Sequence, residues 1–357
     1  MKKYQHGGNI WVKQNPHEWL DFSANINPYG PPNKIKQIIK DSINNIKSYP
    51  EPLARLARQE LAKYLNVNFN ETLLTSGGIS AMELVIRVIK PKHTLIIQPG
   101  FVEYERLSSI YSMSYENINA FNENDYKLNI DTLSNKLKEA DILFLCHPSN
   151  PLGLAFSQST IKKLLDICQS NNTTVVLDEA FIHFCNEKSL VKDINSYSNL
   201  IIVGSLTKIY AIPGVRAGYI VCNQHILKRL EQQFLPWSVN IFAQEIVKAI
   251  NEPELKQFEH QSIKSNEVAK ITMVEQLQKL GFKVFMSNTN YLLLHTASLG
   301  LNSEQLNKAL AKYKIMVRDC SNFVGLNEHY VRVAVKTTEQ NNYLINSLKE
   351  VIKCGTY

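Results

Sequence analysis

Between about residue 50 and residue 250, short apolar runs alternate with helical patterns, and this alternation restricts the fold more than any other feature. The runs are HTLIIQP (93–99), DILFLCHP (141–148), TTVVLDEA (173–180), NLIIVGS (199–205) and GYIVC (218–222). Their apolar residues are continuous, the pattern of strands covered on both faces. Helical stretches stand between them, among them SAMELVIRVIK (80–90) and STIKKLLDICQSN (159–171), the latter with apolar residues at 161, 164, 165 and 168. The pattern predicts an α/β fold with a mostly parallel sheet flanked by helices. In such sheets ligands gather at the carboxyl ends of the strands.

The flanking segments differ in character. Residues 1–35 are rich in Gly, Pro and Asn and read as an extended arm with turns. From 251 to 357 a long polar helix around 253–280 leads into FKVFMS, NYLLLH, KIMVRDC and YVRVAV, with helices near 303–313 and 338–353. This predicts a small C-terminal α+β domain beside a large domain over 36–250, with the arm contributing to both the site and the small domain.

Charge and cysteine usage narrow the function classes. The formal charge is +7, from 39 basic and 32 acidic residues, and the lysines are interleaved with neutral and acidic residues. That is a solvated surface rather than a nucleic-acid arm. Six cysteines include no C-x-x-C pair; Cys146, Cys168 and Cys222 read as buried thiols, which fits a reducing compartment. No apolar run approaches a membrane span, and the first residues lack a signal-peptide core. The expectation is a cytoplasmic protein without membrane or nucleic-acid partners.

Chemistry concentrates where the strands end. Asp178 closes an apolar strand, where a carboxylate requires a cationic partner. Lys208 and Arg216 share a Gly/Pro-punctuated loop with Ser205 and Thr207, the groups of an anion site. TSGGIS precedes the helix near Ser80 and adds free backbone N–H groups. A lysine near other cations and partly desolvated has a lowered pKa, which suits it to Schiff-base formation. One ligand uses all of these together: pyridoxal 5′-phosphate, with an aldehyde for the lysine, a ring nitrogen for the acid and a phosphate for the anion site.

The order HPSNPLG, LDEAFIHF, GSLTKIYAIPGVRAGY resembles the fold-type I pyridoxal-phosphate enzymes of the class I/II aminotransferase superfamily. The resemblance implies that Lys208 carries the coenzyme, Asp178 pairs with its pyridine nitrogen and Asn150 bonds the ring 3′-oxygen. Ser205, Thr207, Arg216 and the amides around Ile79 and Ser80 would hold the phosphate, and Tyr104 would stack on the ring. Tyr49 would reach the coenzyme phosphate of a second subunit, which implies a homodimer.

A narrower resemblance spans residues 6 to about 350. HGGNI, LDFSANINPYGPP, LPWSVNIFAQ and VRDCSNFVGLNEHYVRVAVKT are similar to the threonine-phosphate decarboxylase family of cobalamin biosynthesis. In that family the residues matching His6, Gly8, Asn27, Arg318 and Arg332 surround the substrate's phosphate and carboxylate, with Lys336 a further candidate. The implied activity is decarboxylation of O-phospho-L-threonine or O-phospho-L-serine; aminotransfer of the histidinol-phosphate type is the alternative. The chain departs from the superfamily pattern at Phe181 and His183, and at His147 and Leu152 beside Asn150.

Overall fold

The computed structural model describes residues 5–354. Its main sheet has seven strands: β1 (Thr72–Thr75), β2 (His93–Gln98), β3 (Ser114–Asn119), β4 (Ile142–Cys146), β5 (Thr174–Asp178), β6 (Leu200–Ser205) and β7 (Gly218–Cys222). Their order across the sheet is β1-β7-β6-β5-β4-β2-β3. The pairs β6-β5, β5-β4, β4-β2 and β2-β3 are parallel. β7 runs antiparallel to β1 and β6. The segment 206–217 contains no helix that could carry the chain across the sheet, so the strand after it returns alongside β6 in the opposite sense.

The continuous apolar runs fill two cores. Leu143 and Leu145 of β4, with Leu177 of β5 and Ile202 of β6, face one layer of helices. Phe144 of β4, Val176 of β5 and Ile201 of β6 face the other. Successive strand residues point to opposite faces, so a strand covered on both sides must be apolar at every position. Helices α1 (Gly78–Ile89), α2 (Glu103–Ile110) and α3 (Gln158–Ser170) provide cover. In α3, Ile161, Leu164, Leu165 and Cys168 form the buried stripe that the periodicity predicts.

The long helix α4 (Pro253–Lys279) buries Leu255 in the first of these cores and Met273 and Leu277 in a separate one. This third core lies against a four-stranded antiparallel sheet of β8 (Lys283–Phe285), β9 (Tyr291–His295), β10 (Arg318–Asp319) and β11 (Tyr330–Ala334), in the order β8-β9-β11-β10. The N-terminal arm joins this half: Leu20–Asp21 pair in parallel with Ile315–Met316, and Phe22 enters the third core. Cys146, Cys168 and Cys222 are buried and unbonded. Among the described residues no helix is long and apolar enough to cross a membrane.

Candidate active site

The ends of β4, β5 and β6 meet the start of α1, the arm and the strands β10 and β11 around a cavity of about 280 Å³. Of the residues singled out in the sequence, His6, Ile79, Asn150, Asp178, Ser205, Thr207, Lys208, Arg216, Arg318 and Arg332 line it. They come from seven separate stretches of chain. The sheet supplies Asp178 and Ser205 as last residues of β5 and β6, and the antiparallel register of β10 with β11 sets Arg318 directly opposite Arg332.

Lys208 is half-buried, and its ammonium lies 5.7 Å from the Phe181 ring. Among the described residues the ammonium has neither a hydrogen-bond nor an ion-pair partner. Burial, then the charges of Arg332 and Arg216, pull its pKa down to about 8, against the opposing pull of Asp178. Asp178 accepts from the Tyr104 hydroxyl at 2.6 Å and from the Ala180 N–H at 3.1 Å. Burial raises its pKa, and those two donors together with Lys208 act against the rise.

One corner gathers hydrogen-bond donors. Helix α1 opens at Gly77 (φ +85°) without a side-chain cap, so its first N–H groups point out unbonded by one. Ser205 and Thr207 share a hydrogen bond of 2.7 Å beside it. Arg216 folds its guanidinium over Gly77, where a Cβ would come within 2.4 Å of Nη2. These donors, an unpaired lysine and a buried carboxylate across the same cavity match the three functional ends of pyridoxal phosphate, so the residues present fit that coenzyme.

A second pair of cations remains. Arg318 is 4% exposed and Arg332 5% exposed, and neither has an acidic partner among the described residues. Arg318 Nη2 donates to the Gln5 carbonyl at 2.6 Å and to Asn322 Oδ1 at 2.8 Å. Arg332 donates through Nη1 to Asn150 Oδ1 and through Nη2 to the Ser23 carbonyl at 2.7 Å, while its buried Nε has no partner.

Five of the expected site residues lie outside the cavity wall. Tyr104 is fully buried beneath it: Phe144 stacks on its ring at 5.0 Å and its hydroxyl is given to Asp178, so it has no face left for a coenzyme. Phe101, three residues earlier, lines the cavity instead. Asn27 is buried and donates to the Ile209 carbonyl at 2.6 Å, while its N–H donates to the Lys208 carbonyl at 3.2 Å; it fixes the lysine loop. Gly8 donates its N–H to Ser23 Oγ at 2.8 Å. Ser80 Oγ bonds back to the Ser76 carbonyl, leaving only its backbone near the phosphate corner. Tyr49 is 84% exposed and packs at a tilt against Trp237, ring centres 5.4 Å apart, outside the cavity wall of its own chain.

The cavity also holds residues that their sequence context does not mark. Gly7, Ser23 and Asn25 belong to the arm, and Cys146 stands beside Asp178 in register at the end of β4. The strand-end rule that selected Asp178 applies equally to Cys146, whose apolar character concealed it.

A fold with this sheet order and a lysine, a carboxylate and a phosphate corner around one cavity defines a fold-type I pyridoxal-phosphate enzyme. A family model described as aminotransferase class I and II matches residues 17–348, and the chain belongs to that family. Its coenzyme is accordingly pyridoxal 5′-phosphate. The chain is 31% identical to the threonine-phosphate decarboxylase of Salmonella typhimurium over 97% of this chain and 96% of that protein. It is also 31% identical, over 98% of its length, to the adenosylcobalamin biosynthesis bifunctional protein of Leptospira interrogans, and spans 41% of that longer protein. The L-threonine-O-3-phosphate decarboxylase structure from Porphyromonas gingivalis superposes with a TM-score of 0.80 at 30% identity, over 93% of this chain and 99% of that one. The histidinol-phosphate aminotransferase structure from Clostridium acetobutylicum gives a TM-score of 0.86 at 28% identity, over 94% and 99%.

Proposed function

We propose that this enzyme decarboxylates O-phospho-L-threonine, with O-phospho-L-serine a close variant, to give aminopropanol phosphate (or ethanolamine phosphate) and CO₂. The observation that carries the reading is the pair Arg318 and Arg332, two buried guanidinium groups facing one cavity without acidic partners. A buried, unpaired cation calls for an anion from outside the chain. A substrate with both a phosphate and a carboxylate satisfies the two at once, each through a bidentate fork. The decarboxylases among the relatives support the same choice.

Bound pyridoxal phosphate supplies an electron sink for whichever Cα bond of an attached amino acid stands perpendicular to its ring. Lys208 would carry the coenzyme, and its Nζ, freed by substrate, would return a proton to Cα. Asp178 would hold the proton of the ring nitrogen, while Asn150 would meet the ring oxygen. Gly78, Ile79, Ser80, Ser205, Thr207 and Arg216 would retain the phosphate. Arg318 and Arg332 would orient the substrate and thereby select the carboxylate bond rather than Cα–H. Phe101, Phe181 and Phe323 line the cavity, and His6 and Gly7 reach it from the arm; together they would thin the water around the departing carboxylate.

The competing reading is aminotransfer of the histidinol-phosphate type, favoured by the Clostridium likeness. Histidinol phosphate has a phosphate and no carboxylate, so Arg332 would serve only the amino-acid half of such a reaction. The test is product formation from phosphothreonine. Release of CO₂ in step with the amine phosphate, without any 2-oxo acid, is expected; amino transfer that requires a 2-oxo acid would overturn the proposal.

The division into an arm (1–35), a coenzyme-binding domain (36–250) and a C-terminal domain (251–357) belongs to the same reading, supported by the separate third core. So does a homodimer in which Tyr49 approaches the partner's coenzyme. It is supported by the exposed apolar pair of Tyr49 and Trp237, with Leu56 and Leu235 also exposed on the single chain. Sedimentation should give twice the chain mass, and Trp237→Arg should lower it.

A further inference from the structure

Asp178 is supported from behind. Its Oδ2 accepts the 2.6 Å bond from the Tyr104 hydroxyl and its Oδ1 accepts from the Ala180 N–H. The charged and titratable groups that act on it are Lys208 from the loop after β6, Cys146 at the end of β4, Tyr104 of α2, Tyr291 of β9, and Glu179 next in the chain. Burial drives the Tyr104 hydroxyl and the Cys146 thiol well up, so both keep their protons and stay neutral. Tyr104 is held rigidly for this task, with Phe144 stacked on its face and Phe101 against its edge at 5.8 Å.

We propose that Tyr104 is a positioning residue for the reaction: by donating to Asp178 it keeps the charge on that carboxylate and the proton on the coenzyme's ring nitrogen. The inference rests on the reading above, in which Asp178 faces that nitrogen. A proton between the two has two placements, ring N–H⁺ with a carboxylate or neutral ring with a carboxylic acid. A hydrogen bond donated to the carboxylate stabilises only the first. Removing it makes Asp178 the stronger base, the proton moves to Oδ, and the ring becomes a poorer electron acceptor. A bond to a charged group of this kind shifts the proton distribution by roughly tenfold or more.

The experiment uses holoenzyme reconstituted with ring-¹⁵N pyridoxal phosphate, whose nitrogen chemical shift reports the proton directly. The wild type should hold the proton at neutral pH and release it only at higher pH. Tyr104→Phe should lose it about one pH unit or more lower, with kcat reduced and KM little changed. Should Tyr104→Phe fail to fold or to take up coenzyme, 3-fluorotyrosine at position 104 decides, because it keeps the ring and strengthens the donor. That variant should hold the proton to a higher pH than the wild type. Identical titrations in all three, with the wild-type nitrogen protonated, would overturn the role of Tyr104 alone. A wild-type nitrogen that carries no proton would remove the assignment of Asp178 itself, and the proposal with it.

Discussion

Lys208 is a cation in a cavity that already holds three arginines, and the consequence is an amine ready to react near neutrality. With a pKa of about 8, roughly one lysine in ten is neutral at pH 7, against about one in three thousand for an unperturbed side chain. Coenzyme uptake by the coenzyme-free protein should therefore quicken about tenfold per pH unit and level off near pH 8; stopped-flow absorbance measures this. Arg332→Gln should move the plateau upward. Between about pH 8 and 10.5 the folded lysine has released a proton that the unfolded chain still binds, so stability gains a component that rises with pH. Lys208→Met should lose that slope in urea titrations, while Lys208→Ala should abolish turnover. The lysine and Asp178 were legible because a charged residue at the end of an apolar strand has no structural reason to be there. Tyr104 and Asn27 are hard to place for the opposite reason: a buried aromatic and a buried amide look alike in sequence whether they touch a ligand or brace the residue that does.

The elements bring these side chains together through a few constrained joints. At Gly77 the backbone is left-handed and Arg216 occupies the space a side chain would need. Gly77→Ala should thus displace the guanidinium and strain the turn that opens α1. The expected result is coenzyme affinity weakened by roughly ten- to a hundredfold, read by equilibrium dialysis, with the far-UV spectrum unchanged. In the layer below, Phe144 fills the space between sheet and α2. Phe144→Ala should cost about 3–5 kcal/mol in denaturant unfolding and loosen Tyr104 with it. Most strands could be read from their unbroken apolar runs. β1 is only four residues long and β3 is a polar edge strand, Ser-Tyr-Glu-Asn-Ile-Asn, so neither rises above its surroundings. The reversed direction of β7 was also hidden, because strand composition carries no sign of direction; the helix-free loop before it is the only cue.

At the scale of the whole molecule, the site is closed by a segment far from it in sequence. The arm lies so close to Ser23 that a Cβ at Gly7 would fall 2.1 Å from the Ser23 carbonyl. His6 bonds Glu103 at 2.6 Å, and Gln5 presents its carbonyl to Arg318. Gly7→Ala should lift this end of the arm, raising the substrate KM while leaving coenzyme affinity intact; steady-state kinetics beside dialysis separates the two. The bond from Arg318 to Gln5 carries one more consequence. An arriving oxyanion meets a guanidinium already engaged by the chain's own backbone, so capture is an exchange of acceptors rather than the filling of an empty socket. Whatever anion wins that exchange frees Gln5 and the arm that follows it, and occupancy of the cleft becomes readable along the arm as a change in susceptibility to an endopeptidase.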